Sequence, residues 1–211
     1  MKLKEKEKEL ISKEIENLEK LSSVELVAVI AKRSEDYKLA ASIVSVVVLF
    51  FISFFYIFFA EEISIIKLLE IQFVSFIVSY LFFKKFKKPL LSILPKKYKY
   101  KVASQNANKQ FYNLKLNETK VKQAIMFFVS FDEKYVEIIT DKSVSDVIPN
   151  SHWQKIIDEF IVDIKNHQLL EGYIKAIKAC SSILIEKFPI KENDKNELSN
   201  EVIELKWKRY Y

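Results

Sequence analysis

The sequence predicts an α/β protein: helices packed on a small mixed sheet, interrupted by a two-helix transmembrane hairpin. Three observations carry this prediction. Leu39 to Ala60 is an uncharged run of 22 residues, which as a helix reaches about 33 Å and crosses a hydrocarbon core. "AIMFFVSFDEKYVEIITD" contains two strand-like runs joined at Asp132 and Glu133. "VELVAVIA", Val24 to Ala31, is apolar on both faces of a strand. Such a strand needs neighbours, and the chain supplies them only beyond the apolar hairpin.

The N-terminal stretch "MKLKEKEKELISKEIENLEKL" spaces Leu10, Ile11, Ile15, Leu18 and Leu21 as an amphipathic helix. Lys and Glu interrupt it throughout, so it is not expected to act as a signal peptide. Its charges nearly cancel, which favours packing on a neighbour over a membrane surface or nucleic acid.

After the first span, only Glu61 and Glu62 precede a second candidate, Ile63 to Phe83. The two spans therefore form a tight antiparallel hairpin. Lys67 and Glu70 stand three apart near its outer end, where the lysine can snorkel. Ala41 with Ser45, and Ser75 with Ser79, place small residues four apart for a helix contact. Lysines and Arg33 flank both ends, while the turn is acidic. The positive-inside rule then puts both termini and the soluble part on the cytoplasmic side.

From Lys84 to Leu116 there are ten Lys and no acidic residue, a local charge of +10 against a total of +6, so the rest carries −4. A cationic segment directly after a span is explained by topology and by anionic lipid headgroups, at about 1 kcal/mol per residue. Lys84, Lys85, Lys87 and Lys88 are the expected headgroup contacts, and no nucleic acid is expected. Pro89 and Pro95 bracket "LLSIL", expected to lie along the interface.

Ala103 to Asn117 reads as a helix, followed by the hairpin. Pro149, with Asn150 or Ser151 as cap, then opens a helix with the stripe Trp153, Ile156, Ile157, Phe160, Ile161 and Ile164. Leu170, Tyr173, Ile174, Ile177, Cys180 and Leu184 form the next stripe. The boundaries are 1–38 for the first helix and strand, 39–83 for the membrane hairpin, 84–102 for the basic segment, 103–190 for the remainder of the domain and 191–211 for a tail.

In "VELVAVIAKRSEDY", "ASQNANKQFYNLKLNET", "IMFFVSFDEKYVEIITDKSV", "VIPNSHW", "LLEGYIKAI", "LIEKFP" and "NELSNEVIEL", the chain resembles the TPM domain family. The match is to bacterial membrane proteins in which two spans interrupt the domain. The resemblance implies a TPM-like fold and a bacterial plasma (inner) membrane location. For function it implies an interaction or assembly module for membrane complexes or, as the alternative, a weak, metal-dependent phosphatase. Gly172 falls where the family carries a glycine. The family's glycine just before the first hairpin strand is missing, where Gln123 and Ala124 stand.

The residues themselves leave catalysis open. The chain has one cysteine and two histidines fifteen residues apart, so neither a disulfide nor a zinc cluster is expected. His152 and His167 read as capping or surface residues. Asp132 and Glu133 read as solvated turn carboxylates. The second strand, at about 3.3 Å per residue, separates them from Asp141 and Asp146 by roughly 23 Å. The candidate cation or phosphate site is therefore Asp141, Asp146 and the helix start near Ser151, with a divalent cation such as calcium as the implied cofactor.

Overall fold

In a computed structural model, residues 3–191 and 196–205 are described. The chain divides into two compact units: Glu35–Lys99, and the flanking residues up to Ser34 and from Tyr100 onward.

The second unit is built on the sheet. It begins with α1 (Glu5–Glu19), and its strands are β1 (Glu25–Ala31), β2 (Ala124–Ser130), β3 (Tyr135–Thr140) and β4 (Ile203–Leu205). The strand order is β3-β2-β1-β4. β1 pairs in parallel with β2 over its full length, from Glu25 opposite Ala124 to Ala31 opposite Ser130. β2 and β3 form an antiparallel hairpin. The apolar run Val24 to Ala31 is thus an inner strand of the sheet. Every residue of β1 is buried, as its two apolar faces require.

The alternation of side chains sorts the core into two layers. Leu26, Ala28, Ile30, Ile125, Phe127 and Val129 pack with buried residues of α1, α7 (Asn150–Lys165) and α8 (Leu169–Lys187). Val27, Val29, Ala31, Met126 and Phe128 pack on the other side with Ala107 and Phe111. Those two belong to α5, which runs from Lys96 to Asn113. The stripe on α7 is buried at Trp153, Ile156, Ile157 and Phe160, and partly at Ile164. Phe160 meets Phe127 edge-on, with ring centroids 4.9 Å apart.

The structure differs from the sequence reading in several places. α1 buries Ile11, Ile15 and Leu18, but Leu10 and Leu21 are exposed. Leu21 lies beyond the helix end, and Leu10 points away from the buried stripe. α5 begins at Lys96, seven residues before Ala103, because the Lys and Tyr residues after Pro95 are compatible with a helix whose charged side is solvated. Pro149 takes the position before the first turn of α7 and supplies no side-chain cap, so neither Asn150 nor Ser151 has that role. Part of the stretch read as a tail, Ile203–Leu205, pairs in parallel with β1 as β4.

The other unit holds α2 (Lys38–Phe59), α3 (Ile65–Lys85) and α4 (Lys87–Ile93). α4 contains most of "LLSIL" and buries Leu90 and Leu91. α2 and α3 are both long and apolar enough to cross a membrane, and only 11% and 6% of their most apolar stretches are buried. Ala41 and Ser45 are among the few fully buried positions of α2. Ser45 donates to the Ala41 carbonyl at 2.8 Å and Ser79 to that of Ser75 at 2.6 Å. These hydroxyls are satisfied within their own helices, as an apolar surround demands.

Candidate functional site

The sequence-predicted site falls on a short helix, α6 (Lys142–Ser145). Asp141 is its N-cap and accepts the Lys142 N–H at 2.6 Å. Asp146 stands at the other end of the same helix as its C-cap, and Ser151 is the exposed second residue of α7. The Asp141 carboxylate has one job already, satisfying a helix N–H. Its second oxygen is buried without a hydrogen-bond partner among the described residues. Among the described residues, no three His, Cys, Asp or Glu side chains converge as a metal site. His152 packs edge-on against Trp153. His167 follows the C-cap of α7, Asn166, in the left-handed conformation, φ 62°.

A second cluster was invisible in the sequence. Glu133, read as a solvated turn residue, is 2% exposed. Its carboxylate accepts the Ser34 N–H at 3.0 Å and the Ser130 hydroxyl at 2.5 Å, and the two serine hydroxyls lie 2.9 Å apart. The cluster closes the C-terminal ends of β1 and β2, the place where open parallel sheets commonly bind ligands. Here the turn's own carboxylate fills it. Beside it, Arg33 faces Asp132 at 3.8 Å, and the Asp132 N–H donates to the Lys32 carbonyl at 2.9 Å. These contacts join Lys32 to Ser34 with the hairpin turn, so the last residues before the apolar helices are fixed to the sheet. The residue types S-x-x-E were legible, but the partner that buries them lies 99 positions away.

The third feature is a cleft of about 400 Å³ beside the outer edge of β3. Its lining includes Tyr100, Tyr135, Glu137, Trp153, Ile157 and Ile161. Tyr100 and Tyr135 meet edge-on at 5.1 Å. Glu137 accepts the Ser104 hydroxyl at 3.3 Å. Burial holds the Glu137 carboxyl above the usual carboxylate range and pushes the Tyr135 phenol up to about 12. Trp153 is 3% exposed, and among the described residues its indole N–H has no acceptor.

Of the four lysines expected at lipid headgroups, Lys84, Lys85 and Lys88 are exposed. Lys87 is drawn in: its ammonium lies 3.5 Å from Asp36, with the side chain 9% exposed.

This arrangement defines an α/β domain whose sheet is completed from both sides of an inserted pair of long apolar helices. Residues 92–183 match the family model described as the TPM domain. A solved structure has a similar fold: the NMR structure of BA42 protein from the psychrophilic bacterium Bizionia argentinensis superposes with a TM-score of 0.59 at 18% identity, covering 97% of this chain and 96% of that chain. No curated relative matches the chain.

Proposed function

We propose that the protein is a membrane-tethered interaction module, with α2 and α3 spanning a bacterial inner membrane and the TPM domain on the cytoplasmic side. The observation that carries this reading is the full-length parallel pairing of β1 with β2 across the apolar hairpin. The anchor is an insertion in the domain, so the domain cannot be released by cleaving a terminal linker. The large apolar surface of α2 and α3 calls for lipid, and Lys84, Lys85 and Lys88 would meet anionic headgroups. A membrane-protein partner fits a domain held at that surface.

Cysteine labelling in intact cells tests the topology. Cys180 is buried, and burial pushes its thiol up to about 12; it is replaced before single cysteines are introduced. A cysteine at Glu61 or Glu62 should react with a membrane-impermeant reagent, and one at Lys97 should not. The inverse labelling pattern would refute the orientation.

A second reading, a weak metal-dependent phosphatase, draws on the unpartnered buried oxygen of Asp141. In that reading Asp141, Asp146 and Ser151 would hold a divalent cation such as calcium, or the substrate phosphate. Hydrolysis of a phosphate monoester by the purified protein should then require the cation and be lost in Asp141→Asn with folding retained. Equal turnover in that variant would remove the reading.

A further inference from the structure

β3 is an edge strand, and the hydrogen bonds around it show which backbone groups it leaves open. Phe131 donates to the Ala31 carbonyl, and Asp141 donates to the Ala124 carbonyl. The odd residues of β2 therefore face β1, and its even residues face β3. In the antiparallel register Met126 opposes Ile139, Phe128 opposes Glu137 and Ser130 opposes Tyr135. Those residues of β3 use their backbone groups on β2. Val136, Ile138 and Thr140 turn theirs outward, toward the open edge.

That edge lies along the cleft, which has two different walls. Tyr135 and Ile139 pack on the α5 side of the sheet, and alternation places Glu137 there with them, in reach of Ser104. Val136 and Ile138 lie on the other side, where α7 contributes Trp153, Ile157 and Ile161 to the cleft. No cation among the described residues forms an ion pair with Glu137. The cleft thus combines outward strand groups, an apolar wall that includes the Trp153 indole, and a carboxylate that no described cation pairs, with Lys134 also on its rim. An extended peptide satisfies all three at once.

We propose that β3 takes an extended segment of a protein partner as a fifth strand, with a Lys or Arg of that segment facing Glu137 and apolar residues beside it against Trp153, Ile157 and Ile161. The rings of Tyr100 and Tyr135 flank the cation. A carbonyl or hydroxyl of the segment accepts the Trp153 N–H. A second copy of the chain fits less well. Antiparallel self-pairing centred on Val136, Glu137 or Ile138 sets Glu137 opposite Tyr135, another Glu137 or Ile139, never opposite a cation.

The inference rests on the interaction-module reading, and the test separates the two. The full chain in lipid nanodiscs is titrated against a fluorescent peptide of alternating Val and Thr with one central Arg, and against its twin with Glu in place of Arg. The Arg peptide should raise the anisotropy, and the Glu twin should bind at least about tenfold more weakly. Ile138→Pro removes an outward N–H, a change edge strands tolerate, along with a partly buried side chain packed on the core, and should abolish binding with the circular dichroism retained. Should that variant unfold, Glu137→Gln decides, since it should erase the preference for Arg over Glu.

Equal affinity for both peptides, no binding up to about 1 mM, or a chain mass that doubles with concentration and returns to one copy in Ile138→Pro would each overturn the proposal. In native membranes, a photocrosslinker at Thr140 should trap a membrane protein. Trapping at the exposed Lys178 but not at Thr140 would overturn strand docking and leave the interaction module standing.

Discussion

Glu133 shows how one buried carboxylate ties distant parts of the chain. It is held by a backbone N–H and a hydroxyl, so removing it leaves the buried Ser34 N–H without its acceptor, while the Ser130 hydroxyl can turn to that of Ser34. Glu133→Ala should therefore cost about 1–3 kcal/mol in a denaturant melt. The exposed Lys155→Ala should stay within about 0.5 kcal/mol. Equal tolerance at both positions would show that the cluster adds nothing to stability. Glu19 behaves differently. Burial pushes its carboxyl up to about 8, although it accepts the Leu26 N–H at 3.0 Å. A raised carboxyl pKa means that the folded state holds a proton which the unfolded state has lost. Between the ordinary carboxylate value and about 8, this group therefore lowers stability as pH rises. Glu19→Gln should flatten that slope and stabilise the protein most at the alkaline end; an unchanged pH profile of the melting temperature would contradict it. Lys122 carries local backbone strain. With one glycine in the chain, Lys122 adopts φ 51° just before β2, a left-handed conformation that disfavours side chains. Lys122→Gly should gain up to about 1 kcal/mol, since relief of strain exceeds the entropy added to the unfolded chain; a loss of stability would refute this.

At the scale of elements, periodicity made the helices legible where one face is buried and the other solvated. The α7 and α8 stripes are core because their spacing already aligns the apolar residues on one side. The ends were less legible: caps depend on a single residue's backbone angles, and the extra turns of α5 carry no apolar periodicity to mark them. The short β4 was not visible either, because three residues give too few alternations to distinguish a strand from a tail. Gly172 was legible as a close-contact position but not in its partner. A Cβ there would sit 3.1 Å from the Cβ of Asp163 and 3.2 Å from the Phe160 ring, so α7 and α8 approach at the one place without a side chain. Phe160 is packed against Phe127 and Tyr173 and has little room to yield. Gly172→Ala should destabilise by about 1–3 kcal/mol through overpacking. An alanine variant as stable as the parent would mean that the two helices can separate freely.

At the scale of the molecule, the order of elements decides how the protein can be divided. β1 lies between β2 and β4 and is buried along its whole length, yet it precedes β2 by the entire apolar hairpin. The buried face of α1 joins the same core layer through Ile11, Ile15 and Leu18. A fragment beginning at Ala103 therefore lacks an inner strand and one wall of the core. It should be insoluble or unfold without cooperativity, because β2 and β3 alone make only a two-stranded hairpin. Conversely, the apolar helices are not needed to complete the sheet. Replacing residues 35–99 by a flexible Gly/Ser linker of about 20 residues, with a mean reach of roughly 25 Å, should give a soluble domain that unfolds in one transition. Both outcomes are read by the same denaturant melt. If the fragment from Ala103 unfolds as cooperatively as the linked domain, β1 contributes nothing essential, and the hairpin would be a separate anchor next to a self-sufficient domain. If neither folds, the apolar helices themselves are required. Only a folded linked domain beside an unfolded fragment is consistent with a sheet assembled across an inserted apolar hairpin.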